Sequence, residues 1–114
     1  MESVVEVYRC TKGFPREEMF GLAAQMRRAA VSVPSNIAEG KGRYSHKELV
    51  QFLFHARGKL LVLQTQITVA ERLGYFSESD AINLESCSAM VGRLLNGLVH
   101  RFKPSLPSND RSPS

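Results

Sequence analysis

The chain has 114 residues, enough for one domain and too few for two. Apolar residues make up 43% of it and charged residues 23%, with a net charge of +4; this ordinary globular balance excludes a wholly disordered or collagen-like chain. Arg, Lys, Gln or Glu interrupts every apolar run before it nears the roughly 18 residues of a membrane span, so no membrane association is expected.

Met1–Thr11 contains Glu2 and Glu6 and lacks the apolar stretch of a secretory signal, which points to a cytoplasmic protein. Cys10 and Cys87 stand far apart, with neither Cys nor His at metal-ligand spacing, and read as two reduced, half-buried thiols. Val4, Val5 and Tyr8 predict a short amphipathic helix ahead of a Gly13-Phe14-Pro15 turn. Pro15 suits a first helical position, and Met19, Ala23, Met26, Ala30, Val33 and Ile37 then alternate steps of four and three until Gly40 and Gly42 break the run. Pro34 lies inside this second helix and predicts a kink, at a cost of about 3 kcal/mol unless packing offsets it.

Ser45 followed by Glu48 is a capping box that opens a third helix. Leu49, Leu53, Ala56, Leu60, Leu63, Ile67 and Ala70 form its seam, and Gly74 supplies a left-handed cap at its end. Ser77, with Glu78 and Asp80 in the first turn, opens a fourth helix whose seam of Ala81, Leu84, Ser88, Val91, Leu95, Leu98 and Phe102 runs to Pro104. Residues 104–114 hold three Pro and four Ser and read as a disordered tail behind a folded domain over residues 1–103. Nothing in the pattern reads as a strand. Four helical segments joined by short connections predict an all-α, antiparallel, up-down-up-down four-helix bundle.

Phe54, Gly58, Leu61, Val62, Thr65 and Val69 occupy the face of the third helix opposite its seam, a face that should be polar in a monomeric bundle. The first helix reaches roughly 17 Å and the third roughly 42 Å, so the first covers that face incompletely. Two readings stand: a wide apolar face of the kind small bundles carry, or a subunit interface in which Gly58 permits close approach of a neighbour. On the second reading Phe54, Gly58, Leu61, Val62 and Val69 are the interface residues.

Charge is unevenly spread. Residues 27–59 carry Arg27, Arg28, Lys41, Arg43, Lys47, Arg57 and Lys59 against Glu39 and Glu48, a balance of +5, while the rest of the chain sums to −1. These cations are candidate phosphate contacts, and an oligomer would multiply them; the alternative is a solvated surface that keeps the protein soluble. No aromatic platform is interleaved with them, so sequence-specific single-strand recognition is not indicated.

Catalytic constellations are missing from the pattern. His46, His55 and His100 lack metal-ligand spacing, and Gly40-Lys41-Gly42-Arg43 lacks the ending and the preceding strand of a phosphate loop. No Ser lies in a nucleophile elbow with His and Asp partners. Neither enzyme activity, cofactor, metal nor small-molecule substrate is expected.

The stretch from Phe14 to Arg43, FPREEMFGLAAQMRRAAVSVPSNIAEGKGR, closely resembles a signature of a bacterial family of four-helix-bundle proteins often encoded in intervening sequences of 23S ribosomal RNA genes. The likeness continues through Phe52-Leu53, Ala56-Arg57-Gly58 and Leu73-Gly74-Tyr75. The resemblance implies left-handed antiparallel bundles assembled as homopentamers. It extends to the accessory protein of diversity-generating retroelements, a basic pentameric barrel that binds nucleic acid and a reverse transcriptase, and so implies RNA or DNA and a reverse transcriptase as partners here. Three departures accompany it. The family's first helix begins earlier, which implies either a truncated start or a shorter helix here; Lys59 stands where Ser is common, and Val62 where Glu is common. Among the signature residues, Asn36, Glu39 and Arg43 also suit a structural role around Pro34 and the turn after Gly40, with Ser32 bonding back within its helix. The combined expectation is a non-catalytic, pentameric bundle that binds nucleic acid or a nucleoprotein through its seven cations. The alternative is an oligomeric protein-binding scaffold.

Overall fold

Four α-helices and one short 3-10 turn account for residues 2–103, the part of the chain that the computed structural model describes. They are α1 (Glu2–Thr11), the turn Arg16–Glu18, α2 (Leu22–Lys41), α3 (His46–Arg72) and α4 (Glu78–Phe102). No strand occurs among the described residues, and the tail expected over residues 104–114 lies outside them. α2 packs against α3, α3 against α4, and α1 closes the ring by touching α2 and α4. The assembly measures 52 × 30 × 20 Å, with a radius of gyration of 16.4 Å.

The helix ends follow from local chemistry. The Ser45 hydroxyl accepts from the Glu48 N–H at 3.1 Å, and the Ser77 hydroxyl accepts from the Asp80 N–H at 3.1 Å, satisfying one orphan donor of each first turn. At the end of α3, Gly74 adopts φ +79°. Its N–H donates to the Glu71 carbonyl while the Tyr75 N–H reaches the Ala70 carbonyl, the paired bonds of a Schellman stop.

α2 departs from expectation at its start; at its end the stop falls at Gly42, the C-cap, as expected, but not at Gly40. Pro15 does not begin it: the chain first makes the Arg16–Glu18 turn, and the helix starts only at Leu22. Glu18 accounts for this. One carboxylate oxygen accepts from the Leu22 N–H at 3.2 Å and the other from the Tyr75 hydroxyl at 3.1 Å, so Glu18 supplies the cap that Gly21 cannot. Burial, and then this bond to Glu18, push the Tyr75 hydroxyl pKa upward. Phe14 packs there too, its ring 5.2 Å from Tyr75 and 5.1 Å from Phe76, which brings the α1–α2 and α3–α4 connections together. At the other end, Gly40 does not break the helix, which continues to Lys41. A Cβ on Gly40 would lie 2.9 Å from Leu49 Cδ1, 3.0 Å from Phe52 Cβ and 3.3 Å from the Leu49 carbonyl oxygen. Glycine stands there because α3 comes too close for a methyl group. Pro34 is carried inside α2, which stays helical throughout.

The core is the expected seam with local shifts. Leu53, Ala56, Leu60, Leu63, Ile67 and Ala70 of α3 are buried, with Val50 more enclosed than Leu49. Ala23, Met26, Ala30 and Val33 of α2 meet Ala81, Leu84, Ser88 and Leu95 of α4 at the same interior. α1 is tethered by polar contacts. Arg9 pairs with Glu6 at 2.7 Å and with Asp80 of α4 at 3.1 Å, which hold the guanidinium firmly in its charged form. Buried Thr11 donates to the Val7 carbonyl at 2.7 Å and accepts from Arg27 Nε at 2.8 Å.

Cys10 is buried and Cys87 half-buried, and both are free. Burial, and then the Asp80 charge, push the Cys10 thiol up to about 11 from an ordinary 9.0. The unfolded chain ionises this thiol above pH 9 while the folded chain does not, so its contribution to stability declines as pH rises from 9 towards 11. Alkylation at pH 8 should therefore label Cys87 well before Cys10; equal rates would contradict the burial of Cys10.

Gly40→Ala should destabilise the fold by about 1–3 kcal/mol in denaturant titrations, because overpacking against α3 outweighs the gain in helix propensity. Gly58→Ala, where a Cβ would meet nothing within 4 Å inside the protomer, should be neutral or stabilising for the fold of the single chain.

Candidate nucleic-acid interface

The structure sorts the seven candidate cations into two kinds. Three are committed to the protomer itself. Arg27 donates to Thr11 and lies 4.9 Å from the Tyr8 ring centre; it fastens α1 to α2. Arg43 pairs with Glu39 at 2.8 Å and lies 4.7 Å from the Phe52 ring centre. Arg57 donates to Asn96 of α4 at 3.0 Å and lies 4.7 Å from the Phe54 ring centre. Their charge persists, and each is held to the protomer by one hydrogen bond or ion pair and one ring contact.

Arg28, Lys41, Lys47 and Lys59 make no ion pair among the described residues. Two of them meet. Arg28 on α2 and Lys59 on α3 line one cleft of about 300 Å³ together with Gln25, Ala29, Ser32, Val62 and Gln66. An adjoining cleft of about 490 Å³ shares Lys59 and Val62 and adds Asn36, Phe54, His55 and Gly58. No carboxylate lines either cleft. The helical step explains the grouping: Arg28, Ser32 and Asn36 follow one another at i, i+4 and i+8 along α2, and His55, Lys59 and Gln66 face them from α3. Ser32 donates to the Arg28 carbonyl at 2.9 Å and Asn36 to the Ser32 carbonyl at 2.8 Å, as a structural role within α2 requires. Gln66 Oε1 is buried with no hydrogen-bond partner.

Lys41 and Lys47 lie elsewhere, flanking the α2–α3 connection. Lys47 and Lys59 are twelve residues apart on one helix, about 18 Å along its axis. That is more than twice the roughly 8 Å Debye length at physiological salt, so the cleft and the connection act as separate positive spots. A residue overlooked by charge counting stands in the second spot: Tyr44 is fully exposed between Arg43 and Lys47. Its signal was legible as an aromatic inside the run Lys41 to Lys47.

The second apolar stripe of α3 is open to solvent. Leu61 is 59% exposed, Val62 48% and Val69 43%, and Phe54 and Gly58 are exposed beside them. α1 does not shield this stripe, since no Cα of α1 comes within 8 Å of one in α3. Its shortness is secondary to its position across the ring.

No helix among the described residues is long and apolar enough to cross a membrane. No group of three or more His, Cys, Asp or Glu residues able to hold a metal comes together among them.

Comparison with known proteins agrees with this architecture. A crystal structure from Bacteroides thetaiotaomicron, described as a protein of unknown function from the S23 ribosomal protein family, superposes with a TM-score of 0.74 over 84% of this chain and 87% of that one, at 18% identity. That likeness is one of fold. No curated protein matches the sequence. The sequence profile of the 23S rRNA-intervening sequence proteins matches residues 1–97, nearly the whole helical region, and the chain belongs to that family.

Proposed function

We propose that this chain is a non-catalytic, cytoplasmic nucleic-acid or nucleoprotein binding module, built as a left-handed antiparallel up-down-up-down bundle that assembles as a homopentamer. The observation that carries the binding reading is the α2/α3 cleft, where Arg28 and Lys59 converge without a carboxylate between them. A cation pair in such a setting suits phosphate oxygens, and each phosphate neutralised releases counterions. Arg27, Arg43 and Arg57 add field rather than direct contacts.

The assembly reading rests on the open α3 stripe. Phe54, Leu61, Val62 and Val69 present apolar surface along one helix, and Gly58 in their midst has no packing reason within its own protomer. A glycine in a helix costs roughly 0.5–1 kcal/mol against alanine, so its presence there fits close approach of another chain. Copies joined on this stripe would gather their clefts, since Val62 belongs to both. The same stripe favours a second reading, an oligomeric scaffold for protein partners. A reverse transcriptase, implied by resemblance, would fit either.

Salt separates the two. Affinity for generic RNA should fall by orders of magnitude between about 50 and 200 mM salt in the pentamer. The double variant Arg28→Gln/Lys59→Gln should weaken binding and flatten the salt slope by about two per protomer engaged. Arg27→Gln should instead cost about 1–2 kcal/mol of stability, since it strips a partner from buried Thr11. Salt-independent affinity, or none at low salt, would discard the phosphate reading in favour of the scaffold.

Phe54→Asp combined with Leu61→Asp should reduce the particle mass measured by light scattering to that of one chain while helicity by circular dichroism stays near wild type. An unchanged mass would place the subunit contact elsewhere.

A further inference from the structure

Tyr44 stands among several cations at one end of the bundle. It lies in the α2–α3 connection, fully exposed, with Lys41 and Arg43 before it and Lys47 after it. The end of α4 joins that corner: the Phe102 ring meets His46 edge-on at 5.1 Å, and the Arg101 guanidinium sits 5.3 Å from the centre of the same Phe102 ring. Of the nearby carboxylates, Glu39 is already bonded to Arg43, and Glu48 next to Lys47 is exposed and in no ion pair among the described residues. Tyr44 itself makes no hydrogen bond or ring contact among the described residues, so both faces of its ring are open.

Phe20 provides the contrast. It is 95% exposed as well, but it follows Glu17 and Glu18, whose connection packs against Tyr75 and Phe76 ahead of Glu78 and Asp80. Two equally bare aromatic rings therefore stand in settings of opposite charge.

We propose that Tyr44 is a stacking platform for an unpaired nucleobase, with Lys41, Lys47 and Arg101 meeting the phosphates that flank it. The proposal rests on the nucleic-acid reading above and narrows it to single strands. In a duplex the base faces are already stacked on one another, and a ring on a loop reaches none of them. Stacking on an exposed ring is tolerant of sequence, because every base has a π-face, and nearby cations supply the backbone attraction. This differs from the expectation drawn from the sequence, where no aromatic accompanied the cations; Tyr44 provides for strand state without base identity.

The test uses the full chain with three labelled probes at low salt: a 12-nucleotide unstructured RNA, the same strand as DNA, and the RNA paired with its complement. Tyr44→Ala should weaken binding to both single strands roughly tenfold, within the span of about 5- to 150-fold expected for one lost stack, and leave duplex affinity within about twofold. Tyr44→Phe should retain single-strand affinity, and Phe20→Ala should behave as wild type. The protein has no Trp, so quenching of tyrosine emission on adding single strand, lost in Tyr44→Phe, gives a second readout. Wild-type single-strand affinity in Tyr44→Ala, or an equal loss on the duplex, overturns the platform while leaving phosphate binding intact. Failure of the wild type to bind any probe overturns the nucleic-acid reading itself.

Discussion

The spacing of α2 and α3 is the constraint on which the remaining geometry depends. It is set where Gly40 lies against Leu49 and Phe52 with no room for a side chain. Packed interiors tolerate little change in volume, so this contact fixes how far apart the two helices run. Further along the same pair of helices, from Gly40 towards Arg28, lie the clefts lined by Arg28 and Lys59. The close fit at Gly40 and the charged groove therefore belong to the same helix pair. The loop that joins the two helices, with Tyr44 at its tip, inherits its position from the same contact.

Much of the fold was legible because helices announce themselves by period and punctuation. The Ser45 and Ser77 caps, the left-handed Gly74 and the α3 seam all follow from short-range rules that the chain obeys locally. The start of α2 was not legible, since Pro15 fits a first helical position equally well and the deciding partner, Tyr75, is distant in sequence. Gly40 misled for a related reason. A glycine near a helix end reads as a stop, and only the approach of α3 shows that it marks a contact. The placing of α1 across the ring from α3 belongs to tertiary packing, which no local pattern encodes.

The candidate site was legible as a charge excess and illegible as a constellation. Arg27 and Arg28 are neighbours in sequence, yet one is fastened to Thr11 and Tyr8 while the other opens into the cleft. A step of about 100° around the helix separates a structural arginine from a candidate binding one. Arg43 and Arg57 likewise find acceptors and ring faces inside the protomer. Counting cations therefore overstates the number of donors available to a ligand, and passes over Tyr44, whose value comes from what surrounds it.

The 52 × 30 × 20 Å outline has a practical consequence. A compact chain of this size would have a radius of gyration near 13 Å, against the 16.4 Å here. Such a rod sweeps out more solvent as it tumbles than a sphere of equal mass. On a gel-filtration column calibrated with globular standards, a solitary subunit would elute early and pass for a heavier particle. Stoichiometry for this protein is better drawn from methods blind to shape, such as sedimentation equilibrium, than from elution volume.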